Sequence, residues 1–97
     1  MNDYLLLMHH GAPEGGDGDR WASYLGKLRM AGVFEGGSSI GSGVCVSRGK
    51  SVPDITRHLA GYVRVKARSL EDARSLLAGN PVFEAGGVVE IRELPRT

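Results

Sequence analysis

From Gly61 to Pro95 the chain reads as strand, helix, strand, and that order confines it to a small set of folds. Tyr62-Val63-Arg64-Val65-Lys66-Ala67 alternates polar with apolar, the period of a half-buried strand. Ser69 to Ala78 has helical spacing: Ser69 with Asp72 makes a capping-box start, Leu70, Ala73, Leu76 and Leu77 form one apolar face, and Gly79 and Pro81 stop it. Gly86 to Pro95 then resumes a strand pattern, with Val89 and Ile91 on one face and Val88, Glu90 and Arg92 on the other. A strand joined by a helix to a second strand of the same sheet crosses over with one hand, so few topologies remain.

The first half supplies a matching unit. Tyr4-Leu5-Leu6-Leu7-Met8 is a continuous apolar run, a strand buried on both faces. The glycine-rich stretch 11–18 reads as a loop, and Asp17 or Asp19 can cap the helix that follows. In that helix Trp21, Tyr24, Leu25 and Leu28 recur at i, i+3, i+4 and i+7, and Ala31-Gly32 ends it. Val33-Phe34-Glu35 predicts a short strand. Segment 36–43, rich in Gly and Ser, reads as a mobile loop; Val44-Cys45-Val46 and Lys50-Ser51-Val52, flanking Ser47-Arg48-Gly49, predict an inserted hairpin. The whole is a single α+β domain over 1–97: a βαββαβ chain plus a hairpin, ferredoxin-like, with a four-stranded antiparallel sheet and both helices on one face.

Val63, Val65, Ala67, Val89 and Ile91 are expected to face Trp21, Leu25, Leu28, Leu70, Ala73 and Leu77. The opposite face then carries Tyr62, Arg64, Lys66, Glu90 and Arg92 around a central strand that is apolar on both sides. A solvated sheet shows clean alternation, so this face calls for a cover, and a second copy of the chain is the simplest one.

Composition excludes several function classes. An apolar share of 41% and a charged share of 24% belong to an ordinary soluble domain, and a net charge of +1 gives no electrostatic pull toward nucleic acid or a membrane. The run at 4–8 is too short to span a bilayer. A lone cysteine, Cys45, favours a reducing compartment, and the expected localisation is cytoplasmic. Three histidines and one cysteine without CxxC or HxxxH spacing predict no metal site, and no phosphate-cradle motif predicts a cofactor.

The motifs resemble YCII-related (DGPF-type) domains. Leu59-Ala60-Gly61-Tyr62, the helix start Ser69-Leu70-Glu71-Asp72-Ala73, Asn80-Pro81 and the closing Gly86-Gly87-Val88-Val89-Glu90-Ile91-Arg92 are similar to the second half of that family. Tyr4 to Met8 and the helix carrying Trp21, Tyr24 and Leu28 are similar to its first half. The Asp-Gly-Pro-Phe signature is replaced by Ser51-Val52-Pro53-Asp54. The resemblance implies a ferredoxin-like domain paired as a dimeric α/β barrel, and in some members a histidine–aspartate pair.

His9 and His10 stand where the first strand meets a glycine-rich loop, a common place for functional groups on a rigid scaffold. Histidine is the side chain suited to proton transfer near neutral pH. Asp54 and His58, four apart, meet if their connector makes a helical turn; His9 or His10 with Asp54 is the arrangement nearest the family's pair. Arg64, Lys66 and Arg92, oriented by Glu90 and neighboured by Tyr62, read either as an anion-binding set for a small anionic ligand or as a charged sheet surface with ion pairs around a dimer interface. Two functions follow. One is a small-molecule enzyme with His/Asp acid–base chemistry at a homodimer's sheet face; the other is a non-catalytic ligand-binding or interaction module.

Overall fold

The computed structural model describes residues 1–12 and 18–96. Its elements are β1 (Asn2–His9), α1 (Gly18–Met30), β2 (Phe34–Ser39), β3 (Leu59–Ala67), α2 (Leu70–Ser75), α3 (Pro81–Glu84) and β4 (Val89–Leu94). The strands form one four-stranded sheet in the order β2-β3-β1-β4, and every neighbouring pair is antiparallel. This is the ferredoxin-like α+β arrangement, with β1 and β3 central as the apolar run and the alternation require. The proposed cap Asp17 lies outside the described residues, as does most of the loop at 11–18; Asp19 sits inside the first turn of α1, where its charge suits the positive helix end.

The core lies on one face of the sheet. Tyr4, Leu6 and Met8 of β1 and Val63, Val65 and Ala67 of β3 are buried there with Tyr24, Leu28, Ala73 and Leu77. Trp21, Leu25, Val89 and Ile91 pack around them. Leu70 does not join: it opens α2 on the solvent side and is 52% exposed. Burial fixes the register, because a slip by one residue would turn every buried side chain of β1 to the other face.

Local signals place the helices. Ser69 caps α2, its Oγ accepting from the amide of Asp72 at 3.2 Å, and Asp72 Oδ2 accepts from the amide of Arg68 at 2.9 Å. At the end of α1, Gly32 adopts φ +74°, and the Val33 amide reaches back to the Leu28 carbonyl at 3.1 Å. The Gly32 amide bonds the Arg29 carbonyl at 3.0 Å, so the helix closes in a Schellman motif that sends the chain into β2.

Three further expectations require correction. The second strand does not stop at Glu35: β2 takes in Gly36 to Ser39, the first part of the segment read as a mobile loop, which pairs with β3. Helix α2 ends at Ser75, not at Ala78: Leu76 and Leu77 tighten into i→i−3 bonds, and a further short helix, α3, begins at Pro81. Its cap is Asn80, fully buried, whose Oδ1 accepts from the amides of Val82 and Phe83 at 3.0 and 3.1 Å. Burial raises the Tyr24 hydroxyl above the usual tyrosine range, and a hydrogen bond with Asn80 opposes that shift. Tyr24 Oη donates to the Leu76 carbonyl at 2.7 Å.

The inserted hairpin is absent. Residues 40–58 contain neither strand nor helix, and Val44 and Val46 are 78% and 85% exposed. A lone two-stranded hairpin is marginal in water unless its apolar side packs on something, and among the described residues Val44 and Val46 remain largely exposed. The segment extends outward instead. The radius of gyration is 14.8 Å, against about 12.5 Å for a compact chain of this length. No described helix is long and apolar enough to cross a membrane.

Candidate functional site

The free face of the sheet ends at a cluster of His9, His58 and Glu90. β1 pairs with β4 so that Leu7 lies opposite Glu90, which puts Glu90 diagonally beside His9 on the helix-free face. On the β3 side the register slips between Met8 and His9, pairing Met8 with Gly61 and His9 with Leu59. Backbone bonds pin the strand end from both sides: the His9 amide to the Val88 carbonyl at 3.0 Å, the His10 amide to the His58 carbonyl at 2.7 Å. The bulge brings the segment entering β3 close, so the rings of His9 and His58 meet edge to face with centroids 4.7 Å apart.

Chemistry follows from one short contact. His9 Nε2 lies 3.0 Å from Glu90 Oε1, both side chains partly shielded, and Arg92 Nη1 donates to Glu90 Oε2 at 3.2 Å. The hydrogen bond from His9, then that from Arg92, holds the Glu90 carboxyl below the usual glutamate range. An ionised carboxylate only accepts hydrogen bonds, so Nε2 is the donor, and in the neutral ring the lone pair is at Nδ1. Glu90 thereby orients a histidine as the third member of a triad orients its base.

The remaining sequence candidates are placed differently. His10 is exposed and lies in a bend just past the end of β1. Asp54 does not orient His58: the connector makes no helical turn, and the carboxylate instead lies 3.5 Å from Arg57, at the surface. The carboxylate beside His9 is therefore Glu90 in β4, not Asp54. Arg64 and Lys66 are each within ion-pair reach of a carboxylate, Asp3 at 3.6 Å and Glu35 at 3.3 Å, and Arg92 is turned to Glu90. The anion-binding set is thus satisfied internally, with Tyr62 half-buried among it. His58 enters through the sheet register, not through a neighbouring aspartate. The spacing argument against metal ligands looked only at residues near in sequence and could not see that His9, His58 and Glu90 converge, each offering a donor atom within 4.8 Å of the others.

A cavity of about 390 Å³ opens on the opposite side of the sheet, between α1 and the β2–β3 pair, lined by Met8, Trp21, Leu25, Phe34, Gly61 and Val82 among others. Its size suits a small ligand. Side chains alternate along β1, so Met8 borders this cavity while His9 faces away from it; the cavity and the His–Glu pair are separate features.

No family model matches the sequence, and a search of curated proteins returns no relative. Among solved structures the fold is similar to that of 5-chloro-2-hydroxyhydroquinone dehydrochlorinase from Burkholderia phenoliruptrix AC1100, solved in complex with 2,5-dihydroxybenzoquinone. The TM-score is 0.55 at 15% identity, and the match covers 98% of this chain and 95% of that one. At this identity the likeness establishes the shared fold.

Proposed function

We propose that this chain is a cytoplasmic small-molecule enzyme, YCII-related in kind, that transfers protons at His9 to or from a hydroxylated, planar substrate. The observation that carries the reading is the 3.0 Å contact between His9 Nε2 and Glu90 Oε1, backed by Arg92 on the second carboxylate oxygen. Glu90 holds the Nε2 proton, Nδ1 takes a proton from a substrate hydroxyl or activated carbon, and the imidazolium so formed is stabilised by the carboxylate beside it. The dehydrochlorinase acts on a ring of this type and spans nearly the same length of fold, which supports the substrate class.

The site works in a homodimer. Leu5 and Leu7 are only half-buried at the centre of a face that otherwise carries charged pairs of both signs, Asp3 with Arg64, Glu35 with Lys66, Glu90 with Arg92. Such a face is complementary to itself. The outstretched segment 40–58, with Val44 and Val46 exposed, is an arm suited to reach over a second copy. Closing the face excludes water from the histidine pair and converts an open surface into a pocket.

The test uses 5-chloro-2-hydroxyhydroquinone and its unhalogenated analogue as probes, with turnover and solvent-deuterium uptake followed by NMR. Wild type accelerates one or both, and His9→Ala lowers the rate about 10²- to 10⁴-fold, the usual contribution of a positioned acid–base group. Equal rates in both proteins would defeat the reading.

A further inference from the structure

We propose that His9, Glu90 and His58 form a binding site for a divalent transition metal, zinc as the type case. Their donor atoms all lie within 4.8 Å of one another, and they come from three separate stretches: the end of β1, β4 and the entry to β3. Two imidazoles and one carboxylate are a donor set that zinc uses where a fourth position is left open.

Distances support the assignment. With bonds of about 2.0–2.2 Å to nitrogen and oxygen, tetrahedral ligands stand roughly 3.3 Å apart. His9 Nε2 and Glu90 Oε1 are already 3.0 Å apart, so an ion replaces the proton between them with little movement. His58 is the ligand that must swing in. It can: its side chain is exposed and its ring already touches His9, while its carbonyl is tied to the His10 amide at 2.7 Å, so the ring turns on a fixed backbone. Arg92, bonded to Glu90 Oε2, holds the carboxylate with Oε1 forward, the work of an outer-shell partner.

The inference shares two residues with the proton-transfer reading but does not depend on it. A metal on His9 Nε2 leaves the ring without its base, so zinc and proton transfer exclude each other at this site. Binding is measured directly, so failure of either idea leaves the other testable.

The experiment titrates zinc into the metal-free full chain by calorimetry and follows the histidine ring signals by NMR. One equivalent per chain binds, and the His9 and His58 signals move while those of His10 stay. His58→Ala, at an exposed position, keeps the fold and the His9–Glu90 pair but weakens binding at least tenfold, the smallest effect common even for outer-shell partners. Glu90→Gln does the same, and His10→Ala binds as wild type. Absence of saturable one-to-one binding, wild-type affinity in His58→Ala, or loss of binding in His10→Ala would each overturn the site.

Discussion

Replacing Asn80 by Ala tests how the chain delivers β4, and with it Glu90, to the site. Asn80 is fully buried, and its Oδ1 is the acceptor for two amides that open α3. Loss of a helix N-cap costs about 1 kcal/mol. The Val82 amide is half-buried and gains no substitute partner, which adds a further 1–2 kcal/mol or so, whereas the Phe83 amide is near solvent and is rehydrated. The sum is about 2–3 kcal/mol, equivalent to a fall in Tm of roughly 10–20 °C for a domain of this size. Thermal unfolding followed by circular dichroism reads it. Asn80→Ser separates cause from volume: serine caps as well as asparagine and recovers about 1 kcal/mol of the loss, although it fills the space no better than alanine does by comparison with asparagine. A fall below about 1 kcal/mol in Asn80→Ala, or no recovery in Asn80→Ser, would refute the capping argument.

Two further outcomes are expected. Because Glu90 binds its proton less readily in the folded chain than in the unfolded one, its contribution to stability is complete above the ordinary glutamate value and is lost as pH falls through the lowered folded value. The stability of wild type relative to Glu90→Gln therefore declines as pH drops through and below the ordinary glutamate range, and urea unfolding at a series of pH values that shows no such decline contradicts it. Leu5 lies opposite both Arg64 and Arg92, so Leu5→Glu finds cations within its own sheet and keeps the monomer fold, yet it places a charge at the centre of the proposed interface. Sedimentation of wild type as a dimer and of Leu5→Glu as a folded monomer is the expected pair of results; a monomeric wild type would remove the dimer.

The frame of the molecule was legible because its signals are local. Alternation in β3, the unbroken apolar run of β1, Ser69 before α2 and Gly32 after α1 each act within a few residues of themselves. Asn80 followed by Pro81, which stops the preceding helix, is also a cap and first-turn pair, and it announces α3. The inserted hairpin failed for the opposite reason, since Val44 and Val46 have strand character but remain largely exposed. The site was the least readable part. His9, His10 and His58 all read as acid–base candidates and Glu90 as an orienting group for an anion, but their convergence depends on strand register and on the slip after Met8. No spacing within the sequence encodes it. Asp54 is offered to His58 by spacing and to His9 or His10 by the family resemblance, and neither signal carries the strand register.

The account rests on a coupled His9–Glu90 pair, and the carboxyl carbon of Glu90 reports on it directly. Followed by ¹³C NMR in metal-free protein, the Glu90 carboxyl of wild type titrates below the ordinary glutamate range and moves back toward it in His9→Ala, with Arg92 retaining part of the shift. An ordinary midpoint in wild type, or one that His9→Ala leaves unmoved, would mean that the two side chains do not act together and would contradict the account.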